Sequence, residues 1–166
     1  MKDGLNALYE RRSVRKYKSE QISDSELEQI LKAGLCAPSA MNRQPAIIIA
    51  VQDKDTIAYM SKLNAQVMGA NGDPFYGAPT VLVVLAEADN ANAVKDGSLV
   101  LGNLMNAASA LGIGSCWVNR AQEVFASAEG KALLEKWGVQ GDYIGVGNCI
   151  LGYVKGELPA PAPRKA

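Results

Sequence analysis

Five consecutive residues near the N-terminus, Arg11-Arg12-Ser13-Val14-Arg15, place three guanidinium groups and a hydroxyl close enough to serve one anionic ligand. A guanidinium is a planar fork of donors matched to phosphate, so two of them can hold a phosphoryl group while the third serves another acceptor. The competing reading is a solvated basic end to the opening helix, favoured by the helix dipole. A second segment, Ala37-Pro38-Ser39-Ala40-Met41-Asn42-Arg43-Gln44-Pro45, has prolines near both ends and small or amide side chains between them. A rigid loop of that composition at a strand entrance suits a polar, planar ligand, against the alternative of an ordinary connector.

What the chain lacks narrows the chemistry further. It has no histidine, which removes the usual general base, the Ser-His and Cys-His nucleophile systems and the commonest metal ligand. The 3 cysteines, Cys36, Cys116 and Cys149, are far apart and form no CxxC pair. They read as small buried hydrophobes, with neither a disulfide framework nor a metal site. If the chain is an enzyme, the expectation is that its reactive chemistry comes from something it binds.

Lysine plus arginine equal aspartate plus glutamate at 17 each in 166 residues, so no basic excess is available to track a nucleic-acid backbone. No apolar run approaches the roughly 20 residues that span a bilayer, and Met1-Lys2-Asp3-Gly4 leads into a polar stretch without a signal core. The expectation is one cytoplasmic domain over residues 1–166, with no nucleic-acid or membrane partner.

The elements that must position the two segments are partly explicit. A first helix is predicted around Leu5 to Arg12. Ser23 and Glu26 form a capping box, Ile22 and Leu27 a hydrophobic staple, and Leu27, Ile30, Leu31 and Leu35 share one helical face that Pro38 terminates. Ala46 to Val51 and Thr80 to Ala86 are continuous apolar runs, expected to be central strands covered on both faces. Between them Ile57, Met60, Leu63 and Val67 outline an amphipathic helix. Turn signals follow at Asn71-Gly72 and Asp73-Pro74.

From Lys95 to Leu111 the pattern is apolar almost all round and thinned by Gly102, Ala107, Ala108 and Ala110, which predicts a helix buried on every side, with a subunit interface taking part of its surface. Ser115 to Val118 reads as a short strand, Ala128 to Trp137 as a helix, and Tyr143 to Leu151 as a strand interrupted by Gly145 and Gly147. The tail, with Pro159, Pro161 and Pro163, is expected to be extended.

Four of these segments, taken in order, resemble the FMN-dependent nitroreductase family. They are the Arg-x-Ser-x-Arg cluster, the Pro-Ser-x-x-Asn-x-Gln-Pro loop about 25 residues on, Leu111-Gly112-Ile113-Gly114-Ser115-Cys116-Trp117, and a final Gly-Tyr strand with a basic tail. The family has an aromatic residue after the Gln-Pro, where this chain has Ala46. The resemblance implies an α+β fold, a mixed, mainly antiparallel sheet flanked by helices, and an intertwined homodimer with two FMN sites at the seam.

By the same resemblance, Arg11, Arg12 and Ser13 hold the FMN phosphate and ribityl chain, and Arg15 approaches the N1 and O2 edge of the ring. A fixed cation there stabilises the reduced cofactor and tunes its potential. Pro38, Ser39, Ala40 and Met41 are expected to reach the flavin of the partner subunit, with Asn42 and Gln44 fixing the loop. Trp117, Val118 and Asn119 match the stretch beside N5 and O4, although a tryptophan in the core explains Trp117 equally well. Asn64 or Asn71 is a candidate for the pyrimidine edge. Arg164 and Lys165 are candidates for closing over the phosphate, against a frayed terminus.

The function implied is a ping-pong oxidoreductase that passes electrons from NAD(P)H through FMN to a nitroaromatic, quinone or similar small planar acceptor. Gly112-x-Gly114 opens a strand and Gly145-x-Gly147 leads to no helix, so neither forms a dinucleotide fingerprint and nicotinamide would only visit the flavin face. The alternatives are an FMN storage or delivery protein with little turnover, and a phosphate-ligand module without flavin.

Overall fold

Ser23 and Glu26 cap the helix as their spacing predicts. In the computed structural model, which describes residues 3–158 and 160–165, Ser23 Oγ accepts from Glu26 N at 3.3 Å and Glu26 Oε2 accepts from Ser23 N at 2.8 Å. Met1, Lys2, Pro159 and Ala166, and with them the first tail proline, lie outside the described residues. The capped helix, α2 (Asp24–Leu35), follows α1 (Gly4–Glu10), whose N-cap Asp3 accepts from Asn6 N. α1 stops two residues short of the predicted Arg12, because the chain turns extended at Arg11 (φ −56, ψ 131).

Tyr153 Oη donates to Glu26 Oε2 at 2.7 Å and so ties the cap of α2 to the far end of the sheet. That bond, followed by the one from Ser23, lowers the Glu26 carboxyl below its ordinary value of 4.5. A carboxyl lowered on folding adds stability above the unfolded value and loses it as pH falls through the folded one. Replacing Tyr153 by Phe is therefore expected to lower the melting temperature near neutral pH by more than it does below about pH 4. Melting curves across that range check it.

Four strands, β1 (Ala46–Val51), β2 (Thr80–Glu87), β3 (Gly114–Val118) and β4 (Tyr143–Gly152), form one sheet in the order β1-β2-β4-β3, antiparallel throughout. A parallel element enters at its edge, where Ser13 bridges Ser115 and Val14 N donates to Ser115 O at 2.9 Å. β2 is central, as expected, and fully buried except at Glu87. β1 is not central: it is an edge strand with mostly half-buried residues. Its isoleucines are still covered on both sides, Ile47 and Ile49 by one core and Ile48 by the other.

One core unites α3 (Lys54–Met68), α5 (Ala121–Ala126) and α6 (Ala128–Lys136) with the sheet through Met60, Leu63, Phe125 and Leu133. The other packs α2 and α4 (Ala93–Ala110) on the opposite face through Ile30, Leu101 and Leu104. α4 lies close to β4 because Gly97 has no side chain; a Cβ there would sit 2.6 Å from Val146. Gly102, by contrast, faces open space, and Val94 and Leu99 are half exposed, so within one chain α4 is not buried on every side. Cys116 and Cys149 are buried as expected, and Cys36 is exposed beside the end of α2. Among the described residues no helix is long and apolar enough to cross a membrane.

Candidate functional site

Beyond α1 the chain runs extended past the β3 edge, and the extended backbone alternates its side chains. Val14 is buried, and Ser13 and Arg15 on either side of it line a cleft of about 290 Å³ together with Val14 itself, Lys16, Val154, Lys155 and Glu157. Arg11 and Arg12 border a separate small crevice that Leu158 of the tail also touches. Arg12 is half-buried and folded back on the end of α1, where Nη1 donates to Tyr9 O at 2.9 Å and to Arg11 O at 2.6 Å. Its Nε is buried without a partner. Guanidinium N–H groups held at an edge and left unsatisfied are what a phosphate would complete.

Asn64, on the buried face of α3, donates from Nδ2 to Asn119 O at 2.9 Å, which links α3 to the end of β3. Its Oδ1 is buried and unpartnered. Asn64 thus keeps one unused acceptor in the interior, whereas Asn71 is exposed in the following loop. Of the stretch after it, Val118 packs in the first core and Trp117 in the second, against Gly147, and only Asn119 is exposed. Trp117 itself is only half-buried, packed against that core.

The Pro38–Pro45 loop is held by its own polar groups. Ser39 Oγ accepts from Gln44 N at 2.9 Å, and Asn42 Oδ1 accepts from Gln44 Nε2 at 3.0 Å. Met41, Asn42 and Gln44 all have positive φ, at 55°, 55° and 50°. Left-handed backbone at three non-glycine residues is costly and persists only where the surroundings fix it. The result is a stiff turn that presents Met41 at 81% exposure.

The structure does not bring all the predicted residues together in one chain. Ala40 N donates to Asp96 Oδ1 at the first turn of α4, while Ser109 Oγ in its last turn donates to Ala7 O of α1. Those two anchor points are 13 residues apart on α4, about 20 Å along a helix. The loop and the arginine cluster sit at opposite ends of that helix. Arg164 and Lys165 are exposed, in a tail without regular secondary structure.

Three residues at the site escape sequence reasoning. Asp96 is nearly buried, with Oδ2 unpartnered; an acid inside an apolar helix pattern was its signal. Asp73 organises the loop after α3, a role hinted at by the Asp-Pro turn signal. Tyr76 places its ring 5.9 Å from Arg15 Cζ, and nothing in the sequence marks it.

The chain is similar in sequence and fold to known proteins. The sequence model described as Nitroreductase family matches residues 8–153. A protein of Archaeoglobus fulgidus named "Putative NADH dehydrogenase/NAD(P)H nitroreductase" is 36% identical over 163 residues, covering 95% of this chain and 88% of its own. The crystal structure of a Bacteroides fragilis nitroreductase with bound FMN superposes with TM-score 0.88 at 30% identity, covering 100% of this chain and 96% of that one. An FMN-dependent nitroreductase of Clostridium difficile gives TM-score 0.89 at 27% identity, over 99% and 96%. With most of its length matched in sequence and all of it in fold, this chain belongs to the Nitroreductase family.

Proposed function

We propose that this chain, an FMN-dependent NAD(P)H oxidoreductase, is a single domain over residues 1–166 that works as a homodimer whose two flavin sites each draw residues from both copies. The observation that carries the two-chain site is the separation of the Pro38–Asn42 loop from the arginine cluster along α4. A second copy supplies the loop that one chain cannot deliver to its own arginines. The exposed apolar side chains Leu5, Leu8, Tyr9, Leu35, Met41 and Leu99 support it, since they lie on or beside α4 and the two helices that pack on it, α1 and α2. Apolar surface left on mutually packed elements marks an association face.

FMN, when bound, would supply the redox chemistry between NAD(P)H and a nitroaromatic, quinone or similar planar acceptor, the two visiting one face in turn. The residues of the chain bind and orient. Arg11, Arg12 and Ser13 anchor the phosphate and ribityl chain, with Arg164 and Lys165 of the tail closing over them. Arg15 would serve the N1 and O2 edge, and Asn64 would offer its unpartnered Oδ1 to the pyrimidine N–H. Asn119, beside Trp117 and Val118, lies next to N5 and O4. Pro38, Ser39, Ala40, Met41 and Asn42 come from the partner copy. Without histidine in the chain, protons are drawn from solvent.

The first test is the visible spectrum of the purified protein, followed by rapid mixing with NADH or NADPH. A yellow protein that bleaches is the expected result, whereas one that binds flavin and bleaches with neither donor is a store. Replacing Arg11 by Ala is expected to weaken FMN binding about tenfold with the potential unchanged, the lower end for a lost charged hydrogen bond. Arg15→Ala should instead make the midpoint potential more negative while some binding survives, as a redox titration will read. An unchanged potential removes the role given to Arg15.

A further inference from the structure

We propose that Tyr76 is a positioning residue for Arg15, held in an unfavourable backbone conformation with its ring against the guanidinium; the inference rests on Arg15 serving the N1 and O2 edge. Tyr76 has φ 54°, a region in which a bulky aromatic residue is a genuine outlier. The turn around it is over-determined. Asp73 Oδ1 accepts from Ser61 Oγ at 2.6 Å and from Phe75 N at 2.8 Å, and Asp73 Oδ2 accepts from Gly77 N at 2.6 Å. Tyr76 N also donates to Asp73 O at 3.1 Å.

Burial does not explain the choice of tyrosine. Phe75 anchors the turn in the core at 1% exposure, while Tyr76 beside it is 43% exposed. A solvent-facing position with positive φ is ordinarily filled by glycine or asparagine. What tyrosine adds is a ring 5.9 Å from Arg15 Cζ, within the range of a cation–π contact. A cation–π contact at this distance draws on the guanidinium charge and uses none of its N–H groups, which remain free to donate. Arg15, otherwise an exposed and rotamer-rich side chain, is thereby restrained beside the ring.

Tyr76→Gly and Tyr76→Phe, measured beside Arg15→Ala, test this in the flavin-loaded and flavin-free protein. Glycine adopts the positive φ without strain, so the melting temperature of flavin-free Tyr76→Gly should not fall. Its FMN dissociation constant should rise about two- to fivefold, the size of an exposed cation–π contact, and its midpoint potential should move the same way as that of Arg15→Ala. Tyr76→Phe keeps the ring and should match wild type in both. A wild-type potential in Tyr76→Gly, with Arg15→Ala still shifted, overturns the role of Tyr76 and leaves that of Arg15 standing. A lower melting temperature with an unmoved potential shows a structural residue only, and failure of Phe to rescue excludes the cation–π contact. An unshifted Arg15→Ala removes both assignments together.

Discussion

Gly145→Ala is expected to cost about 3 kcal/mol of folding stability, at the upper end for overpacking, and to weaken flavin binding as well. A Cβ at Gly145 would lie 2.2 Å from Ala121 O, 2.4 Å from Ala121 C and 2.9 Å from Gln122 N. All three are backbone atoms, so no side chain can rotate away and the start of α5 must lift from β4. The sheet register already shifts here, between Val84 and Leu85 of β2, and Gly145 is the residue opposite Leu85. Immediately before α5 stand Asn119, which accepts from Asn64, and Arg120, at φ 76°. Moving α5 therefore displaces the Asn64–Asn119 link. Chemical denaturation reads the stability loss and flavin fluorescence the binding loss; a variant as stable as wild type would show that α5 has slack that the geometry denies.

That same glycine shows where the sequence stops informing. It reads only as an interruption in a strand, because the helix it admits, α5, has six residues, no capping side-chain bond and no periodicity long enough to register. The capping box of α2 was legible because its signal is local: each partner lies within three residues of the other. β1 was misplaced for a related reason. Its isoleucines report that both faces are covered, which is true, but strand position depends on which backbone edges are paired, and side chains at period two carry no record of that. The arginine cluster and the proline-bounded loop were legible by composition. That they stand at opposite ends of α4 depends on tertiary contacts of Asp96 and Ser109, distant in sequence from both.

Asp96→Ala is expected to lower stability by about 2 kcal/mol, because it strips a buried acceptor from Ala40 N–H. The loop it releases carries three left-handed residues, which relax once the pin is gone, so FMN affinity should fall about tenfold, the effect of some 1.4 kcal/mol. Two effects compete at this carboxylate. The first turn of a helix favours an anion by up to about 1 kcal/mol when exposed, while burying a charge with one oxygen unpartnered costs more than that. Asp96→Asn keeps the acceptor at Oδ1 and removes the charge, so it should be at least as stable as wild type and bind FMN normally. A mixed dimer of Asp96→Ala and Arg11→Ala chains separates this from a defect within one chain. If the loop of each copy serves the arginines of the other, one site receives both intact elements and the second receives neither. Half of the flavin should then bind with wild-type affinity. If loop and arginines of the same chain formed each site, both sites would be impaired, and titration would find no tight fraction.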